Sequence, residues 1–87
     1  MYLHIGNKKN IRVSDIIGIF DTDNATVAST TRKYLSHAQK EGNVISATDD
    51  IPKSFILYRE GETHKICFSQ LSTLSLCGRL ARPFETE

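Results

Sequence analysis

The pattern of apolar and polar positions over the first twenty residues predicts three short strands. Tyr2–Ile5 is an apolar-rich run, and a polar turn over residues 6–10 separates it from two β-branched runs at 11–13 and 16–20. Short β-branched runs bounded by turn residues are typical of strands. Gly18, inside the third run, indicates a bend or a close backbone approach.

The next segment changes to a helical period. Asp21, Thr22, Asp23 and Asn24 offer capping side chains, and Lys40 with Gly42 marks the end. Between them lie positions at helical spacing that form one stripe: Val27, Thr31, Tyr34, Leu35 and Ala38. We therefore expect one amphipathic helix over about residues 24–41.

The second half of the chain predicts three more strands and a short helix. A run at 44–47 reads as a strand, and runs at 54–59 and 65–69 flank a Gly-containing turn, as in a β-hairpin. Ser72 is a suitable N-cap for a final helix with Leu76 and Leu80 on one face. The predicted order is βββ-α-βββ-α, and the spacing favours an α+β class with a mostly antiparallel sheet.

Length and composition predict one folded domain. The chain has 87 residues, of which 39% are hydrophobic and 24% charged, which is typical of a globular domain and not of a disordered tail. We expect a single domain over residues 1–82 and a loose acidic tail over 83–87. A core this small gains from association between subunits, so a homo-oligomer is expected. No export signal or membrane span is predicted, which favours the cytoplasm.

The candidate chemistry predicts no metal, no cofactor and no catalytic residue. Two cysteines occur without a CxxC motif, and His64 and Cys67 should point to opposite faces of a strand. A calcium-like loop begins at Asp21 but has Thr26 where glycine is required. The glycines are too dispersed for a nucleotide-binding motif, and the chain has no Gly-x-Ser-x-Gly. A non-enzymatic protein is the better prediction.

The net charge of +1 conceals alternating basic and acidic blocks. Residues 25–40 carry +3 without a carboxylate, and Arg32, Ser36 and Lys40 recur every four residues with Lys33 beside them. A basic helix face of this kind neutralises DNA phosphates. The same blocks suit head-to-tail packing of subunits, and the same charges are common on ordinary solvated surfaces. Charge alone leaves these interpretations open.

Several segments resemble a known family. Tyr2–Gly6, Asp15–Asp21 and Pro52-Lys53-Ser54 are similar to the small bacterial extracellular-matrix regulators, most closely the RemB-type (YaaB-like) branch. The RemA-type branch shares four further features in the same order, matched here by Ile5-Gly6, Arg32-Lys33, Gly42 and Ala47-Thr48. The resemblance extends from about residue 2 to residue 82.

The resemblance implies a cytoplasmic protein that assembles into rings and, for the RemA-type branch, a DNA-binding activator of transcription of biofilm-matrix operons. That branch carries adjacent arginines after Ala-Thr, where this chain has Asp49-Asp50-Ile51-Pro52 followed by Lys53. Asp15 stands at the place of a further arginine of that branch. Carboxylates at these places repel a phosphate backbone.

Two hypotheses follow for the partner. The first is double-stranded DNA, bound by an oligomer through six candidate residues: Arg32, Lys33, Lys40, Lys53, Arg79 and Arg82. The alternative is a protein–protein interaction module or assembly scaffold of the same fold that has lost the DNA contact. Asp15, Asp49 and Asp50 favour the alternative.

Overall fold

Strands and helices follow each other over the residues that the computed structural model describes, which are 1–6, 9–25 and 28–81. The elements are β1 (Tyr2–Gly6), β2 (Lys9–Arg12), a 3-10 turn (Val13–Asp15), β3 (Ile16–Asp21), α1 (Thr22–Ala25), α2 (Ser29–Lys40), β4 (Val44–Ser46), β5 (Ser54–Glu60), β6 (Thr63–Ser69) and α3 (Thr73–Ala81). They form a small α+β domain, which confirms the predicted class. The predicted tail at 83–87 lies outside the described residues.

The central sheet is mixed and has the order β3-β5-β6-β4. β5 pairs antiparallel with β3 and with β6, whereas β4 pairs parallel with β6. β1 and β2 form a separate antiparallel pair. The hydrophobic runs indicate where the strands lie, but not that a parallel strand closes one edge of the sheet.

The sheet separates two apolar clusters, because side chains alternate along each strand. Phe55 and Leu57 of β5 belong to the cluster beneath α2, together with Ala38 and Ile66. Ile56 of β5 belongs to the larger cluster on the opposite face, where the β1-β2 pair and α3 pack. The other buried members of this larger cluster include Leu3, Ile5, Ile11, Tyr58, Cys67 and Leu76.

The single helix predicted over about 24–41 is in fact two helices. The Asp21 carboxylate caps α1 by accepting hydrogen bonds from the backbone N–H groups of Asp23 at 2.8 Å and Asn24 at 3.2 Å. α2 begins again after Ala28, whose extended backbone (φ −75°, ψ 133°) interrupts the helical path. Val27, assigned to the apolar stripe, lies outside the described residues.

β3 contains a bulge that changes the direction of its side chains. Its register with β5 shifts between Ile16 and Gly18, so Ile17 projects with 54% of its surface exposed. A Cβ on Gly18 would lie 2.8 Å from the Phe20 ring, which stacks on Phe55 at 5.2 Å. The predicted bend at Gly18 is confirmed by this bulge, whereas the close neighbour is the Phe20 side chain and not a backbone.

Buried hydroxyl groups hold the layers together behind the sheet. Ser69 Oγ donates to the Ile5 carbonyl at 2.7 Å, and Ser54 Oγ donates to the Leu71 carbonyl at 2.7 Å. Ser72 Oγ accepts from the Ser75 N–H at 3.1 Å, which confirms the predicted cap of α3. These contacts fix β1 and α3 on the face of the sheet opposite α2.

Candidate nucleic-acid interface

The outer surface of α2 carries a polar stripe with a positive charge. The stripe, called the basic stripe below, lines an open concavity of about 390 Å³ and consists of Ser29, Arg32, Lys33, Ser36, His37 and Lys40. All six residues are exposed. Their spacing of three and four residues places them along one side of the helix.

The basic stripe faces outward because the opposite side of α2 is held by the sheet. Ala38 is 7% exposed and belongs to a cluster with Phe55 and Ile66, and Leu35 packs against it. Burying this side fixes the rotation of α2 about its axis. The sheet therefore determines the direction of the cationic side chains.

Residues 28–40, which carry the basic stripe, contain no Asp or Glu. The nearest in sequence is Glu41, whose Oε1 lies 3.7 Å from His37 Nε2, and both side chains are more than half exposed. An exposed pair of this kind contributes little to stability. Arg32, Lys33 and Lys40 thus form a local positive surface despite the small net charge.

Lys53 lies away from the basic stripe, at the start of β5. Its N–H donates to the Ser69 carbonyl, and its own carbonyl accepts from the Thr22 N–H at 3.1 Å. Its side chain is exposed but does not line the concavity on α2. The chain folds so that Lys53 and the start of the helical region lie at the same end of the sheet.

Arg79 lies on the opposite face of the sheet from α2. Its Nη1 donates to the His4 carbonyl at 3.0 Å, which joins α3 to β1. One DNA surface therefore does not meet Arg79 and the basic stripe of the same subunit together. Arg82, the last predicted candidate, lies outside the described residues.

Asp15, Asp49 and Asp50, the aspartates that favour the scaffold hypothesis, lie at two ends of the domain. Asp15 ends the 3-10 turn before β3, next to the Tyr58 end of β5. Asp49 and Asp50 are exposed in the loop between β4 and β5, at the other end of the sheet. Within one subunit, these positions do not form a single patch.

An apolar groove beside α2 is the surface feature that sequence reasoning missed. It has a volume of about 230 Å³ and is lined by Phe20, Thr30, Thr31, Tyr34, Phe55 and Leu57. Phe20 and Tyr34 are 39% and 45% exposed. Tyr34 belongs to the apolar stripe predicted for the helix, but α2 covers only part of the sheet and leaves Tyr34 at its margin.

The remaining chemistry is that of a packed core. Cys67 is fully buried, where burial raises the pKa of its thiol, and His64 is exposed, as their alternation on β6 predicts. Cys77 is a second free cysteine and is exposed. Within the described ranges, no three His, Cys, Asp or Glu side chains come together as a metal site requires. None of the helices in these ranges is both long and apolar enough to cross a bilayer.

Comparison with known proteins adds no relative: no protein-family model matches the chain, and neither does any curated protein.

Proposed function

We propose that this chain is a non-enzymatic, cytoplasmic regulatory protein that forms a homo-oligomer and binds the phosphate backbone of double-stranded DNA through the basic stripe. The observation that carries the proposal is the presence of Arg32, Lys33 and Lys40 on one exposed helix side without an acidic residue among them. The resemblance to the extracellular-matrix regulators supports the same function, namely control of transcription of biofilm-matrix genes.

The dimensions of the basic stripe suit a phosphate backbone. Arg32 and Lys40 are separated by eight residues, or about 12 Å along a helix axis. One DNA strand advances about 3.4 Å per phosphate along the duplex axis, so a distance of about 12 Å is long enough for Arg32 and Lys40 to reach different phosphates of one duplex. The Ser29 and Ser36 hydroxyl groups on the same side are additional donors to phosphate oxygens.

Assembly makes such a small contact useful. One subunit offers two or three cations, which gives weak and strongly salt-dependent binding. In an oligomer that presents several basic stripes to one duplex, binding of one stripe raises the effective concentration of the others at the DNA, so the overall affinity increases. Binding is then expected to depend on both the stripe and the oligomer.

The test is a titration of a labelled duplex at low salt, followed by fluorescence anisotropy, with Arg32→Glu and Lys40→Glu combined. We expect the double variant to lose at least tenfold in affinity, because two phosphate contacts become repulsive. The matched control is Arg12→Glu with Arg59→Glu, which changes the net charge equally at two exposed arginines outside the stripe.

The outcome separates a local contact from a general charge effect. Equal losses in the two double variants would show that the stripe is not the site, and a wild-type protein that gives no anisotropy change would contradict DNA binding altogether. Circular dichroism melting of both variants establishes that the fold is retained.

A second candidate function is an assembly scaffold that does not bind DNA. It is favoured by the exposed apolar groove and by Asp15, Asp49 and Asp50, which place carboxylates where relatives in the resembling branch carry arginines. This scaffold forms the oligomer but leaves the duplex unbound in the titration.

A further inference from the structure

The loop between β4 and β5 presents an apolar side chain to water. Ile51 is 89% exposed, more than any other large hydrophobic side chain among the described residues. It follows Asp49 and Asp50, so an apolar tip stands beside two carboxylates. Residues 48–53 are called the acidic loop below.

Hydrogen bonds brace the acidic loop at both ends. Thr48 Oγ1 accepts from the Asp50 N–H at 3.0 Å and donates to Gln70 Oε1 at 3.0 Å. At the other end of the loop, the Pro52 carbonyl accepts from Thr22 Oγ1 at 3.0 Å. An apolar group on a braced loop loses little conformational entropy when it binds.

The apolar groove beside α2 has the size and chemistry to receive Ile51. Its volume is about 230 Å³, and a cavity of about 150 Å³ already holds a benzene molecule. The exposed rings of Phe20 and Tyr34 form its margin, while Phe55 and Leu57 belong to the cluster beneath it.

The positive charge of Lys33 near the groove favours a partner segment that carries carboxylates. Lys33 lines the concavity on the outer side of α2 and lies one helical turn from Thr30 of the groove, so a segment that carries carboxylates beside an apolar tip is complementary to this part of the surface. A symmetric antiparallel pairing of two β3 edges centred on Gly18 would instead place Asp15 opposite Asp21 of the other copy. Like charges directly opposite are destabilising.

We propose that the acidic loop of one copy docks into the apolar groove of a second copy, with Ile51 against Phe20 and Tyr34 and with Asp50 beside Lys33. The contact joins two different surfaces, so it is heterologous. In a docked pair, one copy still has a free groove and the other still has a free acidic loop. The inference rests on the oligomer of the proposed function and names its contact. Arg32, Ser36 and Lys40 do not line the groove and are not part of this docking contact.

The first experiment measures mass by sedimentation velocity over the micromolar range for wild-type protein and Ile51→Ser. We expect Ile51→Ser to raise the dissociation constant of the assembly roughly 10- to 100-fold, because one isoleucine side chain is no longer buried. The matched control is Leu74→Ser, which removes a similarly exposed side chain on α3 (84% exposed) and should leave assembly unchanged.

The second experiment mixes two variants with complementary defects. Ile51→Ser retains its groove, and Tyr34→Lys retains its loop, so each alone is expected to be monomeric. A one-to-one mixture should form a heterodimer of twice the 9.8 kDa chain mass and grow no further. A symmetric interface does not show this complementation.

The third experiment tests the charge pair. Lys33→Glu and Asp50→Lys should each weaken assembly, and their combination in one chain should restore it, since every interface then contains the exchanged pair. Failure of this restoration would remove Asp50 and Lys33 from the contact.

The outcomes distinguish the inference from the function on which it rests. A wild-type oligomer that Ile51→Ser leaves intact, or a mixture that remains monomeric, would overturn the docking contact alone. A wild-type monomer over the whole range would overturn both the docking contact and the oligomer of the proposed function.

Discussion

At the scale of single residues, Tyr58 shows how the thin core accommodates a polar group. Its side chain is 3% exposed, and its hydroxyl has no hydrogen-bond partner in the part of the chain that the structure describes. Lys9 Nζ lies 5.8 Å from the ring centroid, so the ring is covered by a cation. A buried hydroxyl without a partner is destabilising, whereas the aromatic ring that carries it fills the core.

We predict that Tyr58→Phe raises the free energy of unfolding by about 1 kcal/mol at neutral pH, because the unpartnered hydroxyl is removed and the ring is kept. Urea denaturation measures the change. Tyr34→Phe is the control, since Tyr34 is 45% exposed and its hydroxyl should not affect stability. A loss of stability in Tyr58→Phe would show that the hydroxyl has a favourable partner.

The same residue gives the protein a dependence on alkaline pH. Burial, with smaller contributions from Cys67 and Glu60, raises the pKa of Tyr58 from 10.0 to about 12. The folded state therefore favours the neutral phenol, and this stability is present below pH 10 and lost as the pH rises towards 12. Tyr58→Phe should reduce the loss of stability between these values.

At the scale of elements, the sequence predicted those strands, turns and helix ends that are determined by residues close together in the chain. The β5-β6 hairpin and the start of α3 follow from alternation, from the turn at Gly61 and from the cap at Ser72. The parallel pairing of β4 with β6 was not predictable, because it depends on where α2 returns the chain. The break in the predicted helix was missed because Ala28 itself favours helix, yet it adopts an extended backbone here.

The candidate site likewise has one feature that residue spacing predicts and others that depend on packing between distant segments. The four-residue spacing of Arg32, Ser36 and Lys40 was sufficient to predict one polar side, which the structure shows as the basic stripe. The separation of Arg79 from that stripe depends on packing across the sheet, and so does the groove beside Tyr34. Neither can be obtained from sequence spacing alone.

We predict that Ser72→Ala lowers the free energy of unfolding by about 1 kcal/mol, since the Ser75 N–H loses its side-chain acceptor at the start of α3. Thermal or urea denaturation measures the loss. Ser36→Ala is the control because Ser36 is exposed on α2 and should change stability by less than about 0.5 kcal/mol. An equal effect of the two substitutions would contradict the role of Ser72 as a cap.

At the scale of the whole molecule, the small net charge is the sum of surfaces that face different directions. The basic stripe lies over one face of the sheet, Arg79 lies over the other, and Asp15 and the acidic loop lie at opposite ends of β3. A near-neutral chain thus carries a positive side on α2 and an acidic loop at one end of the sheet. The two proposed contacts share Lys33, but the DNA contact is tested at Arg32 and Lys40 and the contact between copies at Ile51 and Tyr34, so each can be tested by itself.

The most direct measurement of the central claim is the salt dependence of binding to a labelled duplex. The logarithm of the association constant should fall linearly with the logarithm of the salt concentration, because each phosphate contact releases counterions. We predict that combining Arg32→Glu with Lys40→Glu reduces the magnitude of this slope by about two for each subunit in contact, whereas Arg12→Glu with Arg59→Glu leaves it unchanged. An anisotropy that stays flat at low salt, or a slope that the stripe variant does not alter, would contradict DNA binding through α2.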